Sequence, residues 1–185
     1  MRMILIAMTG LWMLAAGGCN DAYHVDDRTA YFSSENTDPH DNSVGLVSGG
    51  FSGARFEVDV TANEIDVAPV GGIRFDLRFC SDIIEYRGYV EGSYLEQGEA
   101  PVLYDVQVDG ADPDSIHVYL HATEGTSGTD GSGRFLTLKF RGLKEGIDEI
   151  CPYTFSNQEL LDTTQPEGRF ISGISWFSGS AQIVD

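Results

Sequence analysis

Positive charge is scarce in this chain: 11 Lys and Arg stand against 29 Asp and Glu, a formal net charge of −18. A surface of that sign repels nucleic-acid phosphates and anionic lipid headgroups, so nucleic-acid binding is excluded and any membrane contact needs a separate device. Cysteine is nearly absent, with three residues in 185. None stands in a CxxC or beside a His at metal spacing, which argues against a zinc site. No Gly-x-Ser-x-Gly elbow, no P-loop and no Cys with a His partner is present, so catalysis has no motif to rest on, and no cofactor is implied. Carboxylates are so abundant that a pair at glycosidase separation carries no information. Sustained helical periodicity is missing as well, as is any internal repeat.

What is present begins at the first residue. Met1-Arg2-Met3 is a short basic start, Ile4 to Ala16 is apolar apart from Thr9 and Gly10, and Ala15-Ala16-Gly17-Gly18 leads to Cys19. That order is the layout of a secretory signal over residues 1–18. The apolar run falls short of the roughly 20 residues that a membrane-spanning helix needs. Small residues directly before a Cys resemble the lipobox of bacterial lipoproteins, which implies lipidation of Cys19, export and anchoring to a bacterial membrane, facing the periplasm or the cell surface. Residues 19–28, with Asp21, Asp26 and Asp27, read as an acidic tether. With Cys19 assigned to lipid, Cys80 and Cys151 remain as an even pair in an oxidising compartment. If bridged they close a loop of about 70 residues, for which chain entropy gives about 4 kcal/mol.

Residues 29–185 read as one all-β domain. Arg55–Ala62 (RFEVDVTA) alternates, with Phe56, Val58 and Val60 inward. Ile73–Phe79 places Ile73, Phe75, Leu77 and Phe79 inward and Arg74, Asp76 and Arg78 outward. Ser115–Thr123 places Ile116, Val118 and Leu120 inward and His117, Tyr119 and His121 outward. Arg134–Arg141 places Leu136, Leu138 and Phe140 inward. Period-two alternation means one buried and one wet face, as in antiparallel sheets. Further strands are predicted at Thr29–Ser34, Ile83–Tyr89, Val102–Val108, Asp148–Tyr153 and Ala181–Asp185. Turns are predicted at Gly71-Gly72, Asp109-Gly110, Asp112-Pro113-Asp114 and the glycine-rich stretch from Gly125 to Gly133. Many short strands at this spacing indicate a sandwich or jelly roll.

Four segments in order resemble a cohesin domain: RFEVDVTANEI, GGIRFDLRFCSDIIEYRGYVEGSYL, GSGRFLTLKFRGLKEGIDEI and FSNQELLDTTQPEG before a last apolar strand. They span about 130 residues. The resemblance implies a single nine-stranded jelly-roll β-sandwich that binds a protein partner, as cohesins bind dockerin modules. It also implies that the strand of Gly72–Phe79 pairs with the one near Ile147–Pro152, which brings Cys80 close to Cys151. Where characterised cohesins often carry Asn and Asp on the first of these strands, this chain has Gly72 and Arg74, and Cys80-Ser81 stands where the family usually has Asp-Pro. One cohesin-like unit with no attached enzyme or dockerin points to a role outside cellulosomes.

The candidate partner-binding residues are therefore Arg74, Asp76 and Arg78 on one strand and His117, Tyr119 and His121 on another. Together they are expected to form a cationic, titratable patch for an acidic or hydrogen-bonding partner, since Arg and Tyr are favoured at interface hot spots. His117 and His121 are not expected to share a metal, because four residues along a strand separate them by about 13 Å. His24 and His40 lie in polar sequence and read as solvated. Asp109, Asp112 and Asp114 lack the spacing of an EF-hand loop and read as a turn. The reading is thus a membrane-anchored, non-enzymatic binding module for an exported, dockerin-bearing or other protein, linked to polysaccharide degradation. The alternative is direct polysaccharide binding, which requires a row of exposed rings. Tyr86, Tyr89, Tyr94, Tyr119, Trp176 and Phe177 are the supply.

Overall fold

The computed structural model describes residues 28–98, 100–123, 127–143, 149–164 and 168–184. The signal segment, Cys19, His24 and the tether up to residue 27 lie outside the described residues. Among those described, no helix is long and apolar enough to cross a membrane.

Ten strands lie among the described residues: β1 Thr29–Ser34, β2 Ser43–Ser52, β3 Arg55–Arg78, β4 Ile84–Glu91, β5 Val102–Val108, β6 Ser115–Ala122, β7 Thr129–Gly142, β8 Glu149–Asp162, β9 Ser175–Phe177 and β10 Gly179–Val184. One layer runs β9–β2–β3–β7–β4, using the first part of β3. The other runs β8–β3–β6–β5, using the last part of β3. The start of β8 leaves this second layer to pair with β10, which pairs in turn with β1. The two layers enclose a core that includes Phe56, Val58, Val60, Ile73, Phe75, Leu77, Val118, Leu120, Leu138 and Phe140. These are the residues that alternation turns inward, and each side chain of this size contributes about 1.5–3 kcal/mol on burial.

The count is ten rather than nine, and the departures have local causes. Gly71-Gly72 is not a turn but lies inside the 24-residue β3. A Cβ on Gly71 would sit 2.5 Å from the Asp162 carbonyl oxygen, and one on Gly72 2.7 Å from that of Leu120. Glycine here serves close backbone approach as β3 crosses from one layer to the other. β2 and β9 had no period-two signature, because β2 carries Gly45, Gly49 and Gly50 and β9 is only three residues long. β8 continues to Asp162 instead of ending at Tyr153, and β4 runs from Ile84 to Glu91. Residues 129–133 of the glycine-rich stretch belong to β7, while 124–126 lie outside the described residues.

Cys80, just beyond β3, is bonded to Cys151 of β8 with Cα atoms 5.8 Å apart, within the usual range. Beside it Tyr153 packs its ring against Phe32, Phe79 and Phe140. The disulfide and these rings close the end of the sandwich at which β3 leaves the β8–β3–β6–β5 layer.

Candidate functional site

The outer face of the β8–β3–β6–β5 layer is built in transverse rows set by strand register. Leu103, His121, Gly72 and Leu161 form the first row, and Asp105, Tyr119, Arg74 and Glu159 the second. Gln107, His117, Asp76 and Ser156 form the third. Arg78 lies beyond, between Ser115 and Thr154. Alternation along β3 and β6 thus brings Arg74, Asp76, Arg78, His117, Tyr119 and His121 onto one surface. Around the second and third rows lies a shallow groove of about 650 Å³ lined by Asp105, Tyr119, Arg74, Glu159, Asp76 and His117.

The expected cationic patch is not what these residues make. Arg74 Nη2 lies 2.5 Å from Glu159 Oε2, and Arg78 Nη2 lies 3.2 Å from Asp112 Oδ2. His117 bridges two elements: its Nδ1 meets Asp76 Oδ1 of β3 in a short contact, and its Nε2 lies 3.2 Å from Asp109 Oδ2 at the end of β5. Every cation of the patch already has a carboxylate of this chain beside it. The reason is that β8 and the β5–β6 turn supply acidic groups that reading β3 and β6 alone does not bring in.

The network is ordered from several sides. Asn157 stands at a bulge in the β3–β8 pairing with φ 51°, and its Nδ2 donates to Asp76 Oδ2 at 2.5 Å. Asp109 Oδ1 accepts from the Ala111 N–H at 2.8 Å. Asp114 Oδ1 accepts from both the N–H and the hydroxyl of Ser81. The carboxylates of the Asp109–Asp114 turn are thus engaged by turn amides, His117, Arg78 and Ser81, and among the described residues no group of His, Cys, Asp and Glu is arranged to hold a metal ion. The hydrogen bond to Asp76, with lesser help from Asp109, raises the His117 pKa above its ordinary value. The Ala111 N–H, with His117 beside it, lowers that of Asp109. The Ser81 hydroxyl lowers that of Asp114.

His121 points outward as alternation requires but is not exposed. It retains 8 % of its accessible surface, its ring stacked beside Tyr119 and its neighbours in register Leu103 and Gly72. Leu103 is 61 % exposed, and Phe170, which bridges to Leu161, is 59 % exposed. The face is thus apolar at the Leu103–Leu161 end and charged towards Arg78. Leu103, Asp105, Asn157 and Glu159 are part of it and had not been anticipated. The β5 members could have been found by extending alternation to that strand.

Among the described residues, the six rings named from the sequence form no exposed row for a flat polysaccharide. Tyr94 is fully buried, and Tyr86, Tyr89, Tyr119, Trp176 and Phe177 are half-buried. Trp176 packs on Phe75 and Phe155, and Tyr89 stacks on Tyr104 against the core. His40 sits beside Phe177 at the opposite layer, remote from this face.

The family model for the cohesin domain matches residues 42–164. Among solved structures, the fold is similar to a non-cellulosomal cohesin from the hyperthermophilic archaeon Archaeoglobus fulgidus, with TM-score 0.57 and 20 % identity over 77 % of this chain and 91 % of that one. It is similar to a type II cohesin domain from the cellulosome of Acetivibrio cellulolyticus, with TM-score 0.58 and 13 % identity over 77 % and 95 %. A third is the ScaC cohesin of the same organism, solved in complex with the ScaB dockerin, with TM-score 0.54 and 13 % identity over 72 % and 90 %. No curated protein matches the chain.

Proposed function

This chain belongs to the cohesin domain family, and we propose that it is a membrane-anchored, extracytoplasmic receptor that captures a dockerin-bearing or other exported protein on the outer face of its β8–β3–β6–β5 layer. The observation that carries the reading is that face itself. It combines an ordered polar network with an exposed apolar end, where the nearly buried His121 stacks beside Tyr119 and stands in register with the exposed Leu103. Interfaces concentrate energy in such pre-set aromatic and Arg positions. The anchor rests on the residues from Met1 to Cys19, and the link to polysaccharide degradation on what cohesins serve elsewhere. Nothing in the motifs or the face asks for catalysis, so the module is read as a non-enzymatic one.

Calorimetry of the full chain against a panel of recombinant dockerin modules tests the receptor. At least one should bind, and Leu103→Asp or Tyr119→Ala should weaken it about tenfold or more, the 1.4 kcal/mol or greater expected of an interface anchor. Binding untouched by both substitutions would move the site elsewhere. The anchor is tested by metabolic labelling with a palmitate analogue, which should mark the wild type and not Cys19→Ala.

A further inference from the structure

Among the described residues, the most exposed large apolar side chains fall into two pairs. Leu103 and Phe170 belong to the partner face, whereas Phe51 and Ile150, each 63 % exposed, lie at the other end of the sandwich. That end is where the chain enters the fold. Arg28 Nη1 donates to the Leu143 carbonyl oxygen at 2.6 Å, and the Ala30 N–H donates at 2.9 Å to the Gly53 carbonyl, in the β2–β3 hairpin that carries Phe51. Leu143 is itself exposed. β1 then pairs with β10, and β10 with the start of β8. This sets Tyr31, Gln182 and Ile150 in one transverse row and Ser33, Ser180 and Pro152 in the next. Phe32, Ala181 and Cys151 alternate with them and are buried, so the two rows form an outer face. No residue of these rows is charged, in a chain of which 22 % is Asp, Glu, Lys or Arg. Asp112 and Asp114 stand at the same end, but on the β5–β6 turn of the partner layer.

The distance from Cys19 says what this face meets. Nine residues separate Cys19 from Arg28, and an extended chain of that length reaches at most about 30 Å. We propose, resting on the reading of Cys19 as the lipidated residue, that the uncharged face and the adjoining Phe51 and Leu143 dock on the bilayer that holds the anchor. The domain then sits on zwitterionic headgroups instead of swinging free on its tether. Phe51, Leu143 and Ile150 supply apolar side chains to the acyl boundary. Tyr31, whose hydroxyl donates to Gln182 Oε1 at 2.5 Å, stands at headgroup level, where a ring with one wet end is favoured. A short tether holds the face at an effective concentration on the order of millimolar, so contacts too weak to retain a free domain retain this one. The charge of −18 lies elsewhere on the surface, is repelled by anionic lipid, and so turns the uncharged face towards the membrane. The same charge on each copy disfavours covering this face with a second chain. Docked in this way, the Leu103–Leu161 end of the partner face points away from the bilayer, open to a soluble partner.

The experiment uses the lipidated chain, ¹⁵N-labelled, extracted from its membrane in detergent and returned to nanodiscs of phosphatidylcholine and phosphatidylethanolamine. A small fraction of the lipid carries gadolinium on its headgroup. Amides of Tyr31, Gly53, Leu143, Ile150 and Gln182 should lose intensity, while those of Val67 and Leu103 at the far end keep theirs. A tether alone also brings its own end close to lipid, so the variants decide. The Phe51→Ser, Ile150→Ser double variant keeps the tether and changes only well-exposed side chains. It should lower the docked population about tenfold or more. Val67→Ser, also at an exposed apolar residue, should lower it less than about twofold. Attenuation spread evenly over the domain, or equal in the double variant and the wild type, overturns the inference, and a palmitate label on Cys19 then leaves the anchor standing. A wild type that takes no palmitate label removes the anchor and this inference with it. A Cys19→Ala chain that dimerises in solution through the same amides assigns the face to a second copy and overturns the docking.

Discussion

His117 lies between two carboxylates from different elements, and only an imidazolium can donate to both. A neutral ring has one N–H, so one carboxylate then faces a lone pair. Asp76 is also held by Asn157, whereas Asp109 belongs to the turn, so the Asp109 contact is the one released first. The folded-state pKa of His117 is raised, so the folded protein binds this proton more tightly than the unfolded chain. The stabilisation is therefore complete below the unfolded value of about 6.5 and disappears as pH rises through the higher folded value. Asp109 is shifted downward, so its contribution is present at neutral pH and lost only on acidification through its depressed value. Melting temperatures of wild type and His117→Asn should thus differ most at about pH 5.5 and converge by about pH 9. A gap that widened with pH would mean that the bridge holds a neutral ring.

At the level of strands, alternation disclosed the second half of β3 and all of β6, because each turns one apolar face onto a single core. It fell short where glycine or a bulge interrupts the period. β2 buries only Ser43, Val44 and Leu46, its run interrupted by Gly45, Gly49 and Gly50, and β8 loses strict alternation at the Asn157 bulge. Missing that stretch of β8 meant missing Glu159 and with it the partner of Arg74. The six outward residues of β3 and β6 were readable, but the charge of the face was not, because it depends on side chains from elements distant in sequence. The link between β3 and β8 is also covalent, through Cys80 and Cys151. Closing a loop of about 70 residues in the unfolded chain is worth about 4 kcal/mol by chain entropy. The Cys80→Ala, Cys151→Ala double variant should lose that much in denaturant unfolding, and wild type in reductant should match it. Since Ser81 and its bonds to Asp114 adjoin the bridge, amides of the Asp109–Asp114 turn should exchange faster in the variant than those of β7.

For the molecule as a whole, two electrostatic effects oppose each other. The partner face holds attractive pairs at short range: Arg74 with Glu159, Arg78 with Asp112, and His117 with Asp76 and Asp109. These are solvent-accessible pairs, each worth about 0–1 kcal/mol. Against them stands a formal charge of −18, with 29 acidic residues and only 11 Lys and Arg to meet them, so most carboxylates repel one another across the surface. Salt weakens both effects but reaches the long-range repulsion first, because the Debye length falls to about 10 Å at 0.1 M while paired groups sit within hydrogen-bonding distance. Raising sodium chloride from about 10 to about 300 mM at pH 7 should therefore raise the melting temperature, and do so less in a variant with several β4 and β7 surface acids neutralised. A fall with salt would place the balance in the short-range pairs of the partner face.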